Sequence, residues 1–176
     1  HNLDKLIFSY WHKLNNYGRY ALIYPIINYC IKKISSGIYK FEQNLFVLFK
    51  RYLDDRLYEL EDYIRTDYYL HLIDNFFING KIKVAKEFLE SNVTKFHPEH
   101  RDNLMFYVTA LMYFEDKRYG DALNRLAHIK TNTFLIKVRM KKLFLKLYYE
   151  MGLYDEAVAS ANNYRMFLIN NKNILG

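Results

Sequence analysis

The stretch GLYDEA at residues 152–157 decides the fold, because two earlier stretches align with it without gaps. These are GKIKVA at residues 80–85 and KRYGDA at residues 117–122. In each stretch a large side chain precedes an alanine by three positions, which places both on the same side of a helix. The large residue predicts packing where the helix starts, and the alanine predicts close approach of a second helix. These positions are occupied by Ile82, Tyr119 and Tyr154, and by Ala85, Ala122 and Ala157.

Apolar residues recur at three- and four-residue spacing on both sides of each stretch, which is typical of paired amphipathic helices. The large residues lie 37 and then 35 residues apart. A helix pair that recurs about every 34 residues with such a turn resembles the tetratricopeptide repeat, or TPR. The chain departs from this pattern at Ile82, where tyrosine is usual, and at Lys117, where the other two turns have Gly80 and Gly152.

Three more helices are predicted upstream of the repeats, which brings the expected total to about nine. Their apolar positions span residues 3–14, 21–34 and 39–54, and Gly18 is expected to separate the first two. No conformation is predicted for the polar segment at residues 54–59. Thr66 is predicted to cap the first helix of the repeats.

The composition agrees with an all-α fold. The 176 residues include only six Gly and two Pro, too few turn-forming residues for a β-sandwich or β-barrel. We therefore predict an all-α protein built as a right-handed solenoid of antiparallel helix hairpins, because such pairs bury their faces by stacking. One continuous domain is expected, with the N-terminal helices at residues 1–57 and three TPR-like hairpins at residues 58–176.

Five segments resemble an uncharacterised bacterial family of TPR-like proteins. Together they cover roughly residues 20–175, and residues 55–65 depart from the family pattern. Family members are longer, and the chain begins at His1 rather than Met, so a fragment of a longer protein is expected. The resemblance implies the fold and leaves the function open. The segments are NYCIKKI at 28–34, LFVLFK at 45–50, PEHRDN at 98–103, LFLKLYYE at 143–150 and YRMFLINNK at 164–172.

No enzyme motif is present in the sequence, so we predict no catalytic, cofactor-binding or metal-binding residues. There is no phosphate-binding glycine loop, no HExxH and no GxSxG. His97, Glu99 and His100 are assigned to a helix start at Pro98 rather than to a metal. Cys30 is the only cysteine and lies in an apolar helical stretch, which predicts a buried residue in a reducing compartment and a cytoplasmic location.

One segment carries a concentration of positive charge. Six of the 26 Lys and Arg residues fall between 130 and 146, with no acidic residue among them. The TPR register implies that the first helix of each hairpin lines a concave groove. It assigns Asp67, Leu70, Asp74 and Phe77 from the first hairpin, and Leu104 from the second. The candidate partner-binding residues are Tyr107, Leu111, Phe114, Arg139, Lys142, Lys146 and Tyr149.

The predicted function is that of a non-catalytic protein–protein interaction scaffold. A groove with apolar anchors beside a basic wall suits a peptide or protein segment, above all an acidic one. Two alternatives stay open: a helical repeat that binds nucleic acid, and a purely structural segment of a larger helical protein. The basic face could also be no more than a solvated helix surface. No membrane span is expected, since no apolar run reaches the required length, and the sequence assigns no oligomeric state.

Overall fold

The computed structural model describes residues 9–171, and the fold in this range is all-α, as predicted. The described residues contain eight complete α-helices and no β-strand. Four short 3-10 helices lie between or before them, at Trp11–Lys13, Tyr39–Phe41, Leu57–Leu60 and Val93–Lys95. The α-helices are α1 (Asn16–Ser35), α2 (Glu42–Asp54), α3 (Thr66–Ile78), α4 (Ile82–Ser91), α5 (Pro98–Glu115), α6 (Tyr119–Ala127), α7 (Phe134–Glu150) and α8 (Tyr154–Asn170).

The predicted first helix at residues 3–14 lies largely outside the described residues. Its described part is helical at residues 9–10 and then forms the 3-10 helix Trp11–Lys13. Gly18 does not separate two helices, because α1 already begins at Asn16. The Asn15 side chain accepts a hydrogen bond from the Gly18 backbone N–H at 2.9 Å and so caps the first turn.

The described chain divides into two compact units. Unit 1 comprises residues 9–81 with 95–97, and unit 2 comprises residues 82–94 with 98–171. The predicted division after residue 57 rests on the repeat pattern and stays a prediction. In unit 1, α1 packs against α2 and α2 packs against α3, and Ile27, Phe49 and Ile73 are fully buried in its core.

The segment at residues 54–59, for which no conformation was predicted, forms a tight connection in unit 1. Arg56 has a φ of 53°, in the left-handed region, and the 3-10 helix Leu57–Leu60 follows it. Leu57 and Tyr58 are buried, which explains why this polar segment is ordered. Asp55 accepts a hydrogen bond from the Trp11 indole N–H at 2.7 Å and thereby holds the only tryptophan in place.

All three aligned turns have the same backbone geometry, known as the Schellman motif. The turn residue has a φ of 64° at Gly80, 57° at Lys117 and 72° at Gly152. The next backbone N–H reaches the carbonyl five residues back at 2.7, 2.8 and 2.9 Å, respectively. Lys117 therefore adopts the conformation that glycine adopts at the other two turns. The alanines of the three stretches are buried, as predicted: Ala85, Ala122 and Ala157.

Consecutive helices pack against each other throughout unit 2. The contacts run from α4 to α5, α5 to α6, α6 to α7 and α7 to α8. No residue of α5 between positions 103 and 114 is exposed, so this helix is covered along its middle. The side chain of Asn103 accepts a hydrogen bond from the Lys130 N–H and donates one to the Lys130 carbonyl, both at 2.9 Å. These two bonds fix the connection between α6 and α7 to the start of α5.

The predictions for Pro98 and Cys30 are confirmed. Pro98 begins α5, and Cys30 is buried, with 2% of its surface exposed. Among the helices of residues 9–171, none combines the length and the apolar character that crossing a membrane requires.

Candidate partner-binding surface

The predicted groove residues of α5 lie in the interior. Tyr107 is 4% exposed and Leu111 is 3% exposed, so neither offers surface to a partner. Phe114 is half-buried, and its ring centre lies 5.6 Å from that of Tyr119 at the start of α6. These three side chains pack within the fold.

Arg139 is also buried, with 6% of its surface exposed. Its guanidinium group donates to the Leu135 carbonyl in the preceding turn of α7, at 3.3 Å. Burial raises the pKa of Tyr164 on α8, and the positive charge of Arg139 works against that increase. Arg139 therefore offers little surface to a partner.

The remaining three predicted residues form one exposed surface on α7. Lys142, Lys146 and Tyr149 are all exposed, and their spacing of four and three residues places them on one side of the helix. We call this surface the basic face. The exposed fraction of Tyr149 is 63%, and its ring packs edge-on against Tyr154, with 5.9 Å between the ring centres. No acidic residue occurs between positions 122 and 149, and the next carboxylate is that of Glu150 at the end of α7, which accepts a hydrogen bond from the Tyr119 hydroxyl.

A shallow groove runs between α7 and α8 and was not predicted. Its volume is about 320 Å³, and it is open to solvent. In this groove, aromatic side chains from α7 face small side chains from α8. The sequence feature that could have indicated this groove is a pair of small residues at 159–160 on α8, together with two aromatic residues four positions apart on α7. The groove is lined by Lys141, Phe144, Tyr148, Glu156, Ala159, Ser160 and Asn163.

Unit 1 contains a hydrogen-bonded tyrosine cluster that was also not predicted. Oε1 of Glu61 accepts hydrogen bonds from the hydroxyls of Tyr20 at 2.9 Å and Tyr52 at 3.2 Å. The hydroxyl of Tyr68 donates to Asn28 at 2.8 Å. Burial is the main reason why the pKa values of Tyr20, Tyr52 and Tyr68 are raised well above the usual value, so these phenols remain neutral donors.

Arg65 joins this cluster to the start of α3. Its guanidinium carbon lies 4.9 Å from the centre of the Tyr68 ring and 5.7 Å from that of Tyr24. It also pairs with Asp67, and this hydrogen-bonded contact raises the pKa of Arg65. Arg65 occupies the cap position of α3, whereas Thr66, the predicted cap, is the first helical residue. Neutral phenols and a paired arginine connect the start of α3 to α1.

Comparison of the chain with protein-family models, with curated proteins and with solved structures finds no match. The resemblance to TPR-like proteins stays a prediction, as does the absence of catalytic, cofactor-binding and metal-binding residues. Among the candidate surfaces described above, the basic face is the one that combines exposed charge with an exposed aromatic ring.

Proposed function

We propose that this chain is a non-catalytic protein-interaction scaffold whose helix hairpins form a TPR-like, right-handed solenoid. Three Schellman turns at equivalent positions and three buried alanines support the repeat. The packing of consecutive helices in unit 2 supports the stacking. A solenoid presents rigid helix faces to a partner, which suits a scaffold and requires no catalytic group.

The proposed partner is a peptide or protein segment rich in Asp and Glu. The observation that carries this proposal is the basic face, where Lys142 and Lys146 are exposed beside Tyr149. Carboxylates of a partner would form charge-assisted hydrogen bonds with the two ammonium groups. The Tyr149 ring adds a rigid amphipathic anchor of the kind that is enriched at binding hot spots. Because Tyr107, Leu111 and Arg139 are buried, the proposed contact surface is narrower than the sequence register implies.

A direct binding experiment tests the proposal. Fluorescence anisotropy would follow two labelled peptides of equal length, one alternating Glu and Leu and one alternating Lys and Leu. We expect the wild-type chain to bind the acidic peptide, and Lys142→Glu/Lys146→Glu to weaken this binding at least about tenfold, which corresponds to about 1.4 kcal/mol. The matched control, Lys32→Glu/Lys40→Glu, changes two exposed lysines of unit 1 and should leave the affinity unchanged.

Equal binding of both peptides, or an equal loss in the two double variants, would contradict the assignment of the basic face. The same variants can be compared by affinity purification and mass spectrometry, to identify proteins that wild type retains and Lys142→Glu/Lys146→Glu loses. Circular dichroism would establish that each variant keeps its helical content.

The second candidate function is binding of single-stranded nucleic acid. It is favoured by the exposed Tyr149 ring next to Lys146, since bases stack on aromatic rings and phosphates bind lysines. Filter binding of a homopolymeric RNA over a salt series separates the two functions. If phosphate contacts operate, each lysine removed should reduce the salt slope by about 1. An affinity that changes little with salt would exclude this function.

A further inference from the structure

Helix α8 exposes an apolar face that the described residues do not cover. Of its 17 residues only Ala157 is buried. The exposed fractions are 63% for Tyr154, 62% for Val158 and 40% for Ile169. These three residues, together with Ala161 and Arg165, follow three- and four-residue spacing and lie on one side of the helix. We call this surface the α8 face.

The preceding hairpin shows what covers the equivalent surface. The alignment of the turns relates Tyr154 to Tyr119 in α6, and by the same offset it relates Ala161 to Leu126. Tyr119 is half-buried and Leu126 is fully buried, and α7 packs against α6. The Tyr119 hydroxyl donates to the Glu150 carboxylate at the end of α7, at 3.4 Å. A helix therefore covers this surface in α6, and the exposed apolar side chains of the α8 face suit the same kind of contact.

We propose that the α8 face binds the α8 face of a second copy of this chain, with the two helices antiparallel. The exposed charges of α8 are arranged for this pairing. Asp155 and Glu156 lie in its first turn, and Arg165 lies more than two turns further on. In an antiparallel pair that crosses near Ala161, Asp155 of each copy lies close to Arg165 of the other. The small side chain at the crossing allows the helices to approach, and a parallel pair would place like charges together.

The symmetry of this contact determines the size of the assembly. Both copies contribute the same surface, so the contact is closed after two chains and gives a two-fold dimer rather than a filament. Tyr154 of one copy would pack near Ile169 of the other, and Val158 near the aliphatic stem of Arg165. The pairing would remove from water the apolar side chains that α8 exposes.

Sedimentation velocity of the 176-residue chain, from about 5 to about 200 µM, tests the proposal. We expect wild type to approach twice the 21.4 kDa chain mass as its concentration rises. Val158→Lys should weaken the dimer at least about tenfold, because it places an ammonium group beside Arg165 of the other copy. Val47→Lys, at an exposed valine of α2, is the matched control and should sediment like wild type.

Charge exchange tests the antiparallel pairing separately. Asp155→Arg and Arg165→Asp should each weaken the dimer, and the double variant should restore it, because the pairs reform with opposite sign. A wild-type chain that stays monomeric, or that forms filaments, would overturn the proposal. So would a Val158→Lys variant that dimerises like wild type. Failure of the double variant to recover would overturn the antiparallel arrangement. Peptide binding by the basic face is measured independently, so the two proposals fail separately.

Discussion

Two hairpins of unit 2 share their backbone geometry and differ in what surrounds them. We call α5 and α6 the covered hairpin, and α7 and α8 the open hairpin. Both turns are Schellman motifs, and both second helices begin with a tyrosine followed three positions later by a buried alanine. In the middle of α5 every residue is buried or half-buried, whereas α7 exposes two lysines and a tyrosine.

The difference is visible residue by residue. Tyr107 and Leu111 of the covered hairpin are buried, and the equivalent positions of the open hairpin hold exposed Lys142 and Lys146. Burial of an uncompensated lysine would cost several kcal/mol, so these positions are compatible with solvent or an acidic partner. The hairpin geometry is thus set by the turn, and the chemistry of the helix face reflects what covers it.

The largest expected effect on the free energy of unfolding is a difference between the two hairpins at one equivalent position. Leu111→Ala should reduce the free energy of unfolding by about 3 kcal/mol, because it leaves a cavity in a close-packed interior. Lys146→Ala should change it by less than about 0.5 kcal/mol, because that side chain is exposed. Urea unfolding followed by circular dichroism measures both. Similar losses in the two variants would show that the hairpins are covered alike.

The next effect concerns a polar contact that only the covered hairpin has. Asn103→Ala should cost about 2 kcal/mol, because it leaves the buried N–H and carbonyl of Lys130 without their side-chain partner. The equivalent residue in the open hairpin is Val138, and Val138→Ala should cost less, since it removes only half-buried methyl groups. Hydrogen exchange at the Lys130 amide is the direct readout. Unchanged protection in Asn103→Ala would contradict the described role.

At the turns we expect smaller changes in stability, which have opposite signs in the two hairpins. Lys117→Gly should stabilise the protein by about 1 kcal/mol, because residue 117 is in the left-handed region, which costs an L-residue about that much. Gly152→Ala should destabilise it by a similar amount for the same reason. Thermal unfolding of the two variants would show midpoints that move in opposite directions. Loss of stability in Lys117→Gly would mean that the two turns differ in more than their sequence.

The smallest effect is pH-dependent and concerns Glu115 at the end of α5. Partial burial and then the neighbouring Asp116 raise the pKa of Glu115. A carboxyl whose pKa is higher in the folded state lowers stability as it ionises, at pH values above about 4.3. Glu115→Gln should therefore add a few tenths of a kcal/mol at pH 7 and nothing at pH 3. Urea unfolding at both pH values provides the check, and an equal gain at the two values would assign the effect to something other than ionisation.

Much of the local structure could be predicted from the sequence. The scarcity of Gly and Pro and the regular apolar spacing predict helices, and the structure confirms them. The three aligned stretches also predict where helices meet, since buried Ala85, Ala122 and Ala157 all lie at such points. The departure at Lys117 did not change the turn, because the hydrogen bonds of the Schellman motif offset the conformational cost of a non-glycine residue.

The site was predicted less completely. The TPR register assigned seven residues to the groove-lining side of the first helix of a hairpin. It contained no information on which of these helix sides neighbouring helices would cover. The tyrosine cluster around Glu61 was missed for a related reason. Its members Tyr20, Tyr52 and Glu61 come from separate elements that only tertiary packing brings together.

The sequence by itself determined the helical class, the turn positions and the excess of positive charge in α7. These depend on local preferences and composition: backbone conformation at the turns, apolar periodicity along each helix and the absence of acidic residues between positions 122 and 149. Only the tertiary structure decided that Arg139 is buried while Lys142 is exposed, and that α8 keeps an open apolar face. Burial depends on contacts between residues that are distant along the chain, and a helix cannot specify from its own periodicity which of its faces a neighbour will cover.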